Sequence, residues 1–137
     1  MKPTLPIVAS LAAAAILAAI TSGCSTADAP APASYALWTS PEPLRSAKRG
    51  DEKSLRQFLS WATKYRDGAS AEGYSLDLNE LAHTVGDAKL AHVLETMALD
   101  SDHKEAIWED LAGDPAYLPD QRKFRKDFPR TCKALGK

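Results

Sequence analysis

The sequence predicts an all-α fold, a small bundle of about five or six short helices after an N-terminal signal and a Pro/Ala-rich tether. Three observations predict it. From position 51 onward, apolar residues recur at spacings of three and four, the period that lays a stripe along one side of a helix. No segment alternates polar and apolar residues well enough to make a half-buried strand. Asp and Gly, which cap helices and end them, stand wherever one stripe stops and the next begins.

Taken in order, residues 1–23 read as a signal, 24–43 as a tether and 44–137 as the helical domain. The tether holds Pro30, Pro32, Pro41 and Pro43 among Ala and Ser, a composition that favours extended backbone over a folded element. Tyr35, Leu37 and Trp38 interrupt it, either to dock onto the domain or to offer a hydrophobic bait to a partner. Leu55, Phe58, Leu59, Ala62 and Tyr65 make the first stripe, with Asp51 as its cap and Gly68 as its stop. Residues 69–75 read as a Gly/Ser/Ala loop. Asp77 and Glu80 have capping-box spacing ahead of Leu78, Leu81, Ala82 and Val85.

Gly86-Asp87 then restarts the chain, and Leu90, Ala91, Val93, Leu94, Met97 and Ala98 promise the most buried helix. Asp102 and Glu105 repeat the capping box before Ile107, Trp108 and Leu111, and Gly113 ends that helix. Asp114-Pro115 has the cap-then-proline order of another start. The final stripe is Phe124, Phe128, Cys132 and Leu135, interrupted by Pro129. Gly-Asp recurs at positions 50, 86 and 113 and faintly resembles helical-hairpin repeats, yet the spacings differ, whereas true repeats hold their period.

The N-terminus carries the clearest address. Lys2 supplies a positive charge, Ile7 to Ile20 an Ala/Ile/Leu-rich apolar run, and Thr21-Ser22-Gly23-Cys24 follows at once. That order is the grammar of an export signal. The small residues before Cys24 resemble the lipobox of bacterial lipoprotein precursors, with Thr21 where such boxes usually carry Leu. The resemblance implies cleavage before Cys24 and acylation, palmitate included, of the new N-terminal cysteine. Ser25 resembles the class sorted to the outer membrane in a Gram-negative host, facing the periplasm. Two other readings stand beside it. Ordinary secretion would cut after Ala27-Asp28-Ala29 or Ala31-Pro32-Ala33. An uncleaved anchor would need about 20 apolar residues, more than Ile7 to Ile20 provides.

Lys2 is the only charge ahead of Cys24, so its removal takes the net charge from −1 to −2. The total hides a segregation. Residues 42–66 carry seven Lys/Arg against three Asp/Glu, residues 67–114 two against twelve, and residues 115–137 seven against two. Either the basic segments pack beside the acidic one, or the surface is dipolar and steers a charged partner. An exported, net-acidic domain is a poor fit to nucleic acid. With Cys24 acylated, Cys132 has no partner in the chain, so packing alone must hold the fold. Cys132 reads as a small buried hydrophobe, with an intermolecular bridge as the other reading.

Candidate chemistry is sparse. His83 and His92 lie out of phase on one helix, and His83 with Asp87 has ligand spacing only if the helix runs through Gly86. His103 sits in a predicted first turn. No metal or other cofactor is expected on this basis. Asp100, Asp102, Glu105, Glu109, Asp110 and Asp114 form an acidic run that reads as a solvated face, because nothing in the sequence desolvates one carboxylate and not its neighbour. Nucleophile elbows, phosphate loops and zinc-protease spacings are lacking, so no catalysis is expected.

Arg122 to Arg130 interleaves cations with Phe124 and Phe128, as a terminal helix completing the core or as a strip lying on anionic lipid. The expectation is a membrane-anchored envelope lipoprotein, acylated at Cys24, whose helical domain binds another protein in an accessory, inhibitor or immunity-type role. Tyr35, Trp38, Phe124 and Phe128 are the candidate partner surface. The alternative is a carrier of a small ligand or metal in the helical interior.

Overall fold

The computed structural model describes residues 30–36, 41–113 and 121–137. Among them are seven helices and no strand: α1 Glu42–Lys48, α2 Glu52–Leu59, α3 Gly68–Val85, α4 Asp87–Thr96, α5 Ser101–Ala112, α6 Gln121–Asp127 and α7 Pro129–Leu135. The all-α expectation holds, and the predicted stripes become one apolar cluster. Leu44, Leu55, Phe58, Leu59, Tyr74, Leu78, Leu81, Leu90, Val93, Ile107 and Leu111 are fully enclosed within it. Each such side chain contributes about 1.5–3 kcal/mol by leaving water. α1 lies along α2 and against α3, α3 meets α4 and α5, and α7 closes the bundle against α4.

Two helix starts differ from the sequence reading. The helix expected at Asp77 begins nine residues earlier, at Gly68, and absorbs the predicted loop. The stripe of Leu78, Leu81 and Ala82 extends back through Tyr74, which is wholly buried, and burial of that ring outweighs the weak helix preference of Gly and Ser. Asp77 is therefore a mid-helix residue rather than a cap. At α5, the cap is Asp100 and not Asp102: its carboxylate accepts from the His103 N–H at 2.8 Å, and Asp102 falls in the first turn.

The Gly-Asp junctions are used in two ways. Asp51 caps α2 as expected, accepting from Ser54 N–H at 2.8 Å. Asp87 opens α4 but points elsewhere. Its carboxylate accepts from the backbone N–H groups of Arg130 and Thr131, at 3.1 and 2.8 Å, and so caps α7 across the bundle. Pro129 suits the first turn it occupies, because that position needs no backbone donor. Gly86 permits the bend between α3 and α4 with φ +80, a region side chains rarely adopt.

Candidate functional site

Two aromatic groups close the two ends of the core, and they contain most of the residues expected to face a partner. At the first end, Pro30–Ala36 lies against the domain as a strap. The Tyr35 ring is only 6% exposed and packs edge-on against Tyr65 and Tyr74, at 5.3 and 5.7 Å. Its hydroxyl donates to the Asp77 carboxylate at 2.6 Å. The Tyr65 hydroxyl donates in turn to the Pro32 carbonyl. Phe58 stacks on Tyr74 at 4.9 Å, and the Tyr74 hydroxyl donates to the Phe58 carbonyl. Burial raises the pKa of Tyr35, Tyr65 and Tyr74 above the ordinary phenol range, so all three stay protonated donors. Burial likewise raises Asp77, against the lowering effect of the Tyr35 hydrogen bond.

A second carboxyl, half-buried, stands where α5 meets α3. Asp110, on α5, accepts from the Ser75 hydroxyl at 2.6 Å through one oxygen. Its other oxygen is buried without a partner among the described residues, as is the Trp61 ring nitrogen. Desolvation raises the Asp110 pKa to about 7, with the Ser75 hydrogen bond opposing it. The acidic run is thus not uniformly solvated. Glu109 is exposed and pairs with Arg66 at 3.1 Å, Glu105 pairs with Lys137, and Asp110 turns inward. That split was not legible from spacing alone, because it depends on α3 covering one side of α5.

At the other end, Phe124 and Phe128 stack at 4.6 Å with an interplanar angle of 9°. They are 1% and 4% exposed. The Trp108 ring meets Phe124 edge-on and His83 meets Phe128 edge-on. Of the candidate partner surface, Tyr35, Phe124 and Phe128 spend nearly all their apolar area inside this chain. Trp38, the fourth member, and Cys24 lie outside the described residues. What α6 and α7 do expose is charge. Arg122, Lys123, Arg125, Lys126, Arg130, Lys133 and Lys137 are all exposed, with Asp127 the one acid in residues 121–137. Arg125 and Lys137 sit over the Trp108 ring at 4.6 and 5.7 Å from its centroid.

Among the described residues, no group of three or more His, Cys, Asp or Glu is placed to hold a metal ion. His83 and His92 are exposed, and His103 is held by Asp100. Cys132 is buried as expected and forms no disulfide among the described residues, with burial raising its pKa. An open groove of about 470 Å³ runs beside the α4–α5 turn, lined by Arg56, Ser60, Thr96, Met97, Ala98, Leu99 and His103. Arg56 is already engaged there by Glu52 and Thr96. No described helix is long and apolar enough to cross a membrane. Comparison of the chain with protein-family models, with curated proteins and with solved structures finds no match.

Proposed function

We propose that this chain is an envelope lipoprotein, held to the bilayer by an acylated Cys24, whose helical domain binds another protein in the envelope. The observation that carries the reading is the junction between address and domain. An apolar run ending on Thr21-Ser22-Gly23-Cys24 is followed within a few residues by a strap that Tyr35 fixes into the core. Such a junction suits a protein whose position relative to the membrane matters. Two or three acyl chains supply effectively permanent attachment, where one alone binds marginally. Sorting to the outer membrane follows for a Gram-negative host from Ser25.

Labelled palmitate fed to expressing cells tests the anchor: wild type takes up label, and Cys24→Ala does not. Unlabelled wild type contradicts the reading. Cross-linking in intact cells tests the partner: a specific envelope protein is captured by wild type and lost with Cys24→Ala. The groove beside the α4–α5 turn supports a second reading, a carrier of a small ligand with an anionic group facing Arg56 and His103. A low-molecular-weight compound that co-purifies stoichiometrically, and is lost in Arg56→Ala, would favour that reading.

A further inference from the structure

We propose that the socket holding Tyr35 is a peptide-recognition site, filled at rest by the chain's own strap, and that its partner presents an unphosphorylated tyrosine in a short, proline-bearing, non-helical segment. This rests on the partner-binding reading above, names the surface it would use, and needs no acyl anchor.

Three observations carry it. First, the socket is built without the strap. Phe58 lies on α2, Tyr65 in the connection to α3, and Ser70, Tyr74 and Asp77 on α3 itself. α1 packs against both helices, and the Tyr74 hydroxyl ties α3 to the Phe58 carbonyl at 2.7 Å. These walls stay in place when the strap leaves.

Second, the strap is held as a bound peptide is held. Within residues 30–36 Tyr35 alone is buried, while Pro30, Ala33 and Ser34 are exposed. The hydrogen bonds of Pro32 and Tyr35 end on side chains of the domain. Tyr65 donates to the Pro32 carbonyl, Ser70 meets the N–H and the carbonyl of Tyr35 at 3.4 and 3.5 Å, and Asp77 accepts from the Tyr35 hydroxyl. A segment with one buried side chain opens well before the core does. Pro30 and Pro32 restrict its backbone, which lowers the ordering cost of docking.

Third, the socket specifies its occupant. Asp77 is only 6% exposed, and a buried carboxylate needs a donor. Phenylalanine fills the ring space beside Tyr65 and Tyr74 but leaves Asp77 unanswered. Phosphotyrosine sets negative charge against it. The Tyr65 hydroxyl adds a second reading point, a carbonyl three residues before the tyrosine. Binding in trans needs the strap out, so apparent affinity falls by the open fraction, and a partner displaces the strap by adding contacts beyond the socket.

Fluorescence anisotropy on the full-length gene product, processed by its host and held in detergent, tests this. The probe is a dye-labelled, end-blocked peptide with the sequence of residues 30–36, Pro-Ala-Pro-Ala-Ser-Tyr-Ala. Tyr35→Ala empties the socket and binds the peptide saturably, about tenfold or more tighter than wild type does. Tyr35→Phe keeps the ring and the packing, loosens the strap, and binds with intermediate affinity. Circular dichroism checks that Tyr35→Ala is folded, and Tyr35→Phe alone decides where it is not. Phenylalanine in place of the peptide's tyrosine weakens binding about tenfold, and phosphotyrosine abolishes it. Equal binding by wild type and the folded variants, or no saturable binding to those variants, overturns the socket. A wild-type dimer in sedimentation that Tyr35→Ala loses gives the socket to a second copy of this chain and overturns the partner. Peptide binding with no protein captured in intact cells also overturns the partner, while the socket stands.

Discussion

The two ends of this core perform the same task with opposite chemistry. At the strap end, three tyrosines close the packing and carry hydroxyls into it, so Asp77 and the backbone must answer them. Asp110 stands near this end as a half-buried acid, one oxygen of which is buried without a partner among the described residues. At the α6–α7 end, two phenylalanines stack without any polar handle, and the charge stays outside on Arg125 and Lys137 over Trp108. A polar closure fixes geometry, because each buried hydroxyl has one acceptor that suits it. An apolar closure tolerates small shifts and leaves its outer surface free for another use. The strap end, which joins the domain to the membrane address, is the geometrically specific one.

That contrast makes a ranked set of outcomes. Phe124→Ala removes a wholly buried ring from the apolar end and costs about 3–5 kcal/mol in urea unfolding. Tyr35→Phe keeps the ring and removes the donor to Asp77, leaving a buried carboxylate short of a partner at about 1–3 kcal/mol. Protease cutting within residues 30–36 rises in that variant and stays at the wild-type rate in Phe124→Leu. Equal cutting in the two would dissolve the distinction between a specific and a tolerant end.

Asp110 adds a pH signature to the strap end alone. Its pKa is about 7 in the folded protein and 3.8 when unperturbed. The unfolded chain thus releases this proton first, and its contribution to stability falls as pH rises from about 4 to about 7. At 1.36 kcal/mol per unit the difference is at most about 4 kcal/mol, and partial hydration brings it to about 2. The wild-type stability minus that of Asp110→Asn therefore declines by about 2 kcal/mol across that window, followed by urea unfolding at each pH. A flat difference would mean that Asp110 is solvated in the folded state. The smallest effect belongs to the other end: Arg125→Ala, losing its contact with Trp108, costs about 0.5–1 kcal/mol with no such pH window.

Much of this architecture was written in local chemistry. The stripe from Leu90 to Leu94, the cap at Asp51 and the break at Pro129 depend on neighbours a few residues away and appear where the spacing places them. The first stripe, by contrast, is helical only to Leu59: Ala62 and Tyr65 are buried from the turns that follow, and Gly68 opens α3 instead of ending α2. The start of α3 was not legible, because Gly/Ser/Ala composition between Gly68 and Ser75 reads as a loop until Tyr74 has a pocket to fill. Asp87 capping α7 was hidden for the same reason: its partners lie 43 and 44 residues away. Three of the four members of the candidate surface are buried in the folded chain, and the sequence did not show it because exposed and buried aromatic residues look alike there. Phe124 and Phe128 share a helical stripe with Cys132 and Leu135, and that stripe was the signal pointing inward. Tyr35 offered no such sign, since an isolated aromatic residue in a proline-rich stretch has no periodicity to read.

The central functional claim is a covalent one, and intact-mass measurement of the protein extracted from its own membranes tests it most directly. The predicted result is a mature chain that begins at Cys24 and carries the added mass of acyl groups on that residue. A chain that begins at any other position, or begins at Cys24 with no added mass, would contradict it.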